Sequence, residues 1–279
     1  MSTGTVTPPT TGWLLPAWSL TSREVVRFLR QRSRLIGALA QPAIFWIRFG
    51  TGLSGSFRMP GAGDGLAYQV YFLPGIVAMI VMFTAIFSAI SVIQDRDAGF
   101  LQGVLASPAP RTAIVLGKLG GGSLLAVGQG LLFIAVAPLL AYVGLAPHIP
   151  LPTSPLAWLG IVAMLTLMAV GLCGLGYFFA WRLESVQGFH AIMSVLLFPM
   201  WLLSGAFFPA NGSGWLAWII RVNPLTYTVA GLRHAMATAP EQTAGLPAAA
   251  TCIGVSLLFA AACVAIDVVI TRRGGTTGG

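Results

Sequence analysis

The stretch Val70–Ile93, VYFLPGIVAMIVMFTAIFSAISVI, decides the fold, because it holds no charged residue over more than the length a helix needs to cross a bilayer. Five further hydrophobic runs near spanning length or longer follow or precede it, at Leu35–Phe57, Ile114–Val143, Leu156–Ala180, Ala191–Phe208 and Leu246–Ile270. Composition agrees with them. Hydrophobic residues make up 56% of the 279 and charged residues only 8%, with a mean hydropathy of +0.85. A water-facing surface needs roughly a quarter charged residues, so lipid replaces water over most of this one. The sequence therefore predicts an all-α membrane protein with six spans, which use up nearly the whole chain.

Basic residues set the orientation. The N-terminal arginines, Arg96, Arg111, Lys118, Arg182, Arg272 and Arg273 fall on one side of the six runs, and Arg58, Arg221 and Arg233 on the other. The richer side is the cytoplasmic one, which puts both termini inside. The net charge of +8 is thus a topology signal. Nucleic acid is not expected as a partner, because no basic surface is interleaved with aromatic residues outside the apolar runs. Met1–Trp18 is polar and proline-containing, without a cleavable signal pattern, and reads as a disordered tail. Residues 274–279 read as a second tail. Cys173, Cys252 and Cys263 sit inside apolar runs without metal-site or disulfide spacing and are expected to pack.

Between Ser19 and Arg34, the arginines Arg23, Arg27, Arg30 and Arg34 recur at spacings of four, three and four, opposite Val25, Val26, Phe28 and Leu29. The pattern predicts a short amphipathic helix over 19–34 at the membrane interface. Its arginines would meet anionic lipid headgroups or simply obey the positive-inside rule. Two loops carry further signals. Gln94–Thr112, QDRDAGFLQGVLASPAPRT, opens with charge, continues with Phe100, Leu101, Val104 and Leu105, and stops at Pro108–Pro110. It predicts a short helix across the end of the bundle. Pro209–Pro240 is external yet apolar around Trp215–Ile220, and turns at Asn223–Pro224. Runs too short to span predict re-entrant half-helices over about 209–238.

Catalytic chemistry finds little support. Lys118 among Gly117, Gly120, Gly121 and Gly122 fails as a phosphate loop, because Thr112 and Leu119 stand where a glycine and a serine or threonine are needed. Close helix packing is the expected use of these glycines. Asp95 and Asp97 lack the converging carboxylates that magnesium–diphosphate chemistry requires. His190, His234 and Ser204 form no nucleophile–base arrangement. Intramembrane charge points to Arg48, which fits a substrate or headgroup contact or else snorkels, and to Asp267, which is expected to face water or Arg272 and Arg273. A secondary carrier, or less readily an intramembrane enzyme, is the alternative reading. It would need an acidic relay or repeated halves, and neither is found.

Two segments resemble the type 2 family of ATP-binding-cassette exporter permeases, which includes drug-resistance, nodulation-factor and polysaccharide exporters. One is QDRDAGFLQGVLASPAPRTAIVLGK, Gln94–Lys118. The other is LLSGAFFP, Leu202–Pro209, followed by WIIRVNPLTYTVAGLRHAM, Trp218–Met236. The resemblance spans about residues 19–273, and places the type 2 transmembrane domain at 35–273. Asp95 and Asp97 depart from it where many relatives carry glutamate, as does Phe100 where threonine is common.

The resemblance implies a permease subunit in a bacterial plasma (inner) membrane, not itself an enzyme. ATP and magnesium would be held by a separate nucleotide-binding ATPase subunit, with no cofactor in this chain. A coupling helix over about 95–107 would meet that ATPase through Asp95, Arg96, Asp97, Gly99, Phe100, Leu101, Val104 and Leu105, and the interface helix would add a second contact. A second copy, or a paralogue, would complete a pathway between the first, second and fifth spans. Ser204, Gly205, Pro209, Asn223, Pro224 and Tyr227, with Arg48, would line that pathway or its outer exit. The cargo would be amphipathic, lipid-like, drug-like or a glycan.

Overall fold

The apolar stretch that opens the reading lies in the longest helix of the computed structural model and in its centre. The structure describes residues 12–53, 68–207 and 214–273, apart from the side chain of Arg34. Among them there is helix and loop but no strand. In chain order the helices are α1 (Leu14–Arg30), α2 (Arg32–Leu53), α3 (Tyr68–Asp97), α4 (Phe100–Ala106), α5 (Arg111–Val136), α6 (Leu139–Tyr142), α7 (Pro155–Arg182), α8 (Val186–Trp201), α9 (Trp215–Val222), α10 (Pro224–Met236) and α11 (Ala249–Arg273). Helix α3 is buried along nearly its whole length and packs against α2, α5, α7 and α8. Its neighbours spend their apolar residues on two surfaces, one toward α3 and one outward, which is why only α3 is apolar and enclosed on every side.

Five helices among the described residues are long and apolar enough to cross a membrane: Tyr68–Asp97, Arg111–Tyr142, Pro155–Arg182, Val186–Ala206 and Ala249–Arg273. The first of the six expected spans differs. It forms α2, which has the length, but Gln41, Pro42 and Arg48 dilute its apolar character. Arg48 lies on the exposed side of this helix.

Other boundaries also move. The interface helix begins at Leu14, so part of the expected tail is helical, and it ends at Arg30. Gln31 leaves the helical conformation and separates α1 from α2. The expected helix over 95–107 is divided. Helix α3 runs on through Asp97, Gly99 takes a left-handed conformation at φ +71°, and only Phe100–Ala106 forms the short helix. A left-handed glycine is the usual end of a helix, since no β-carbon opposes that backbone geometry.

Near the far end, side chains satisfy backbone carbonyls that proline and a π-turn disturb. Pro74 lies within α3, and carbonyls near it accept from side chains: Gln69 from the Trp46 indole at 3.0 Å, and Gly75 from the Trp201 indole at 2.7 Å. Helix α8 contains Pro199 and passes into a π-turn, Leu202–Ala206, that closes with Gly205 at φ +78°. The Gly205 carbonyl accepts from the Tyr71 hydroxyl at 3.0 Å and from Arg233 at 3.1 Å. Irregular backbone at membrane depth persists where buried protein donors re-satisfy it in this way.

Glycines set the closest approaches between spans. A β-carbon on Gly174 would stand 2.7 Å from Cys263, and one on Gly176 would stand 2.9 Å from Ala89. Asp267 is buried against Gly174, contrary to the expected orientation toward water or Arg272 and Arg273, and neither carboxylate oxygen has a hydrogen-bond partner among the described residues. Depth along a helix axis was legible from the sequence; the side of the helix that α7 covers was not. Cys173, Cys252 and Cys263 are buried free thiols.

A β-carbon on Gly75 would collide with the backbone of Ala206, whereas one on Gly128 meets nothing within 4 Å. Gly75→Ala is expected to destabilise the fold by about 1–3 kcal/mol through overpacking. Gly128→Ala is expected to stabilise it by up to about 1 kcal/mol through helix propensity. Thermal unfolding of the detergent-solubilised chain reads both.

Candidate functional site

At the end of α3 that carries Asp95, five charged side chains from three helices meet. Arg23 of α1 donates to both carboxylate oxygens of Asp95, at 2.9 and 2.9 Å. Arg27, one turn along, donates to Asp95 Oδ1 at 2.6 Å and to Gln94 Oε1 at 2.8 Å. Lys118 of α5 reaches in from the other side, donating to Glu24 Oε1 at 2.6 Å, to Ser91 Oγ at 3.1 Å and to Asp95 Oδ2. Asp95 is 1% exposed, Glu24 4% and Lys118 5%. Charges so far from water persist only when paired and hydrogen-bonded, and here each has several partners. The hydrogen bond to Asp95 raises the Arg23 guanidinium above its ordinary value, against the opposing effect of burial.

Glycine makes the cluster possible. A β-carbon on Gly117 would stand 2.5 Å from Leu20 Cβ, and one on Gly121 would stand 2.6 Å from Glu24 Cβ. The small-residue seam expected to bring two spans together therefore receives the amphipathic helix α1 instead, with the Thr21 hydroxyl bonded to the Gly117 carbonyl at 3.2 Å. This close approach is what lets the Lys118 ammonium reach Glu24.

The short helix α4 rests on the same assembly. Leu101 is buried with Leu20 and Ile114, and Phe100, Val104, Leu105 and Trp181 close over them. The Arg23 guanidinium lies 3.7 Å above the Phe100 ring, so the ion cluster and the α4 contact share a residue.

The expected contact residues thus separate. Asp95 and Leu101 turn inward. Arg96 also turns inward, donating to the carbonyls of Ala180 at 2.6 Å, Leu183 at 3.0 Å and Trp181 at 3.2 Å. It caps the end of α7, where a cation also meets the negative pole of the helix. Phe100, Val104 and Leu105 are half-buried, and only Asp97 and Gly99 remain exposed. Gln102 and Gly103, not among the expected residues, share that exposed surface. Of the interface arginines, Arg23 and Arg27 face the cluster rather than lipid phosphates, and Arg30 is exposed. Glu24 and Lys118 are the partners that sequence reasoning missed. The available signal was an acid set directly beside the arginine stripe and a lysine inside a glycine seam.

At the opposite end the expected exit residues gather around one corner. The Ser204 hydroxyl bonds the Trp201 carbonyl at 2.6 Å, beside Gly205 in the π-turn. Asn223 caps α10, accepting from Leu225 N at 3.0 Å, and donates to the Met200 carbonyl at 2.6 Å, which ties the α9–α10 corner to α8. Pro224 opens α10, and the Tyr227 hydroxyl bonds the Arg221 carbonyl at 2.8 Å. Pro209 lies outside the described residues, and Arg48 stands apart from this corner on α2. No group of three or more metal-ligating side chains occurs among the described residues.

Comparison with known proteins decides the family. The model of the ABC-2 type transporter family matches residues 17–237, from within α1 to the end of α10. The chain belongs to the ABC-2 type transporter family. Nodulation protein J of Rhizobium meliloti (strain 1021) is 26% identical over 221 residues, covering 78% of this chain and 79% of that protein. The putative transport permease ycf38 of Cyanophora paradoxa is 27% identical over 217 residues, covering 77% and 71%. That of Pyropia yezoensis is 27% identical over 218 residues, covering 77% and 72%. This ABC-2 permease is accordingly a multi-pass membrane protein, and both the ion cluster and the α8–α10 corner fall within the matched region.

Replacing Asp95 with asparagine keeps the shape and removes the charge, leaving Arg23, Arg27 and Lys118 facing Glu24 alone. Asp95→Asn is expected to cost on the order of 3 kcal/mol, as breaking a buried ion pair does. Lys118→Met added to Asp95→Asn should recover part of the loss. The checks are thermal unfolding in detergent and protease cleavage at Gln31, which should accelerate as α1 loosens.

Proposed function

We propose that this ABC-2 permease is the membrane subunit of an ATP-driven exporter whose ATP is bound, with magnesium, by a separate nucleotide-binding subunit. The observation that carries the reading is the ion cluster under α4. Asp95 joins α3 to α1 directly and to α5 through Lys118, and α4 sits on the same three helices. A push on α4 would therefore reach the central helix α3 as a rigid-body displacement instead of dissipating in a loose loop. Asp97, Gly99, Gln102 and Gly103 are the exposed groups through which an ATPase would push, and Leu101, Val104 and Leu105 seat the lever from behind.

In this reading α2 serves as the first of six spans and α9–α10 as the re-entrant segment. Both termini are cytoplasmic, in a bacterial inner membrane, and α1 lies in the headgroup layer with Leu15, Trp18, Val26 and Leu29 toward lipid. All four side chains are exposed. Two copies, or one copy and a paralogue, enclose the pathway between α2, α3 and α8. The cargo is amphipathic: lipid-like, drug-like or a glycan. The name transport permease, carried by two of the relatives, supports transport by a permease, and the nodulation and transport roles are those of the relatives.

Asp97→Ala combined with Gln102→Ala alters only exposed side chains of this surface and leaves the Gly99 turn and the buried cluster in place. The expected result is loss of co-purification with a co-expressed nucleotide-binding ATPase subunit and loss of ATP-dependent transport, with membrane insertion and melting temperature near those of the parent. Retained ATPase association and transport in that variant would overturn the assignment of this end as the coupling surface.

A further inference from the structure

A second surface, remote from the ion cluster, has the chemistry of a lipid site. Between α8 and the α9–α10 corner lies an open groove of about 410 Å³, lined by Val195, Pro199, Leu203, Trp218, Val222 and Pro224 among others. The corner owes its position to Asn223, whose amide nitrogen holds the Met200 carbonyl while its oxygen caps α10. Both ends of that amide are engaged, so the groove offers a ligand no free polar side chain. At the roughly 30 Å³ that a water molecule takes in the liquid, the volume holds on the order of a dozen methylene groups.

The rim has the opposite character. Trp215 and Trp218 are 75% and 67% exposed, as aromatic residues at a headgroup boundary are. Arg221 shares the helix face of Trp218, three residues on, and is exposed. It enters none of the ion pairs formed among the described residues. An apolar slot that ends beside a cation and two boundary tryptophans complements an anionic amphiphile with a hydrocarbon tail. A second protein chain seated here would have to bring an acidic side chain to the Arg221 charge.

We propose that this groove binds one acyl chain of an anionic bilayer phospholipid, with its headgroup held at Arg221. The groove adjoins helix α8 of the transport reading, but binding there needs neither ATP nor the partner ATPase, so its test succeeds or fails apart from that reading.

The test uses the full chain in lipid nanodiscs doped with phosphatidylglycerol or phosphatidylcholine carrying a diazirine near the tail end. Adducts are mapped by mass spectrometry. Adducts should concentrate on peptides 195–203 and 218–224, above those on the outward face of α11 around Leu257 and Leu258. The anionic probe should exceed the zwitterionic one by about fivefold, the preference one arginine near a charged headgroup supplies. Val195→Trp, at a position 77% exposed, should fill the groove and remove its adducts. Arg221→Gln should keep the adducts and bring the headgroup preference close to one. Labelling of α11 equal to that of the groove, or adducts that survive Val195→Trp, would overturn the site. Exclusion of both probes, together with disulfide-linked dimers of a Val195→Cys variant, would overturn it in favour of a second copy of the chain.

Discussion

The carboxylate of Asp95 is the constraint on which one whole end of the bundle depends. It stands in the last turn of the central helix and is shared by Arg23 and Arg27 of α1 and by Lys118 of α5, so a single residue joins three helices. Burial makes the arrangement conditional. Removing one charge leaves its buried partners with fewer counter-charges, and an under-compensated buried charge costs more than the pairing itself contributes. A cluster of this kind gives the end one geometry, and α4 inherits that geometry because Phe100 stacks on Arg23 and Leu101 packs against Leu20.

The same economy runs through the other basic residues. Arg96 closes the end of α7, Arg111 donates to the Arg272 carbonyl at 2.8 Å near the end of α11, and Arg233 satisfies carbonyls of Tyr71 and of the π-turn. Guanidinium suits this use, since its fork of donors reaches two or three carbonyls at once and its charge opposes the helix dipole. Much of the positive charge of the chain is therefore internal structure. Side-chain exposure separates these arginines from Arg30, Arg48 and Arg221, which remain available to lipid or to a ligand.

Irregular backbone marks the opposite end. Pro199, the π-turn and the Asn223–Pro224 corner interrupt what would otherwise be one long hairpin; carbonyls in or beside the π-turn accept from Tyr71, Arg233 and Asn223, and the Ile220 carbonyl that Pro224 leaves free accepts from the Thr226 hydroxyl. The bundle is rigidly braced by charge at one end and shaped by hydrogen-bonded breaks at the other. In the transport reading proposed above, the first end would receive force and the second would shape the outer exit.

By itself the sequence determined the elements. Lipid penalises any unpaired backbone group, so uninterrupted apolar runs of this length can only be helices, and α3, α5, α7, α8 and α11 follow from Val70–Ile93 and its counterparts. The arginine spacing of α1, the stop at Pro108–Pro110 and the turn at Asn223–Pro224 were legible for the same reason: they are local. Only the tertiary structure decided which way each charge faces. Arg23 and Arg27 meet Asp95 instead of phosphate, Arg96 meets the end of α7, and Asp267 meets Gly174, because the partner in each case lies on another helix many residues away. Periodicity defines a face, but the choice between lipid, partner and neighbouring helix depends on how closely the helices approach, and glycines such as Gly117 and Gly121 set that distance.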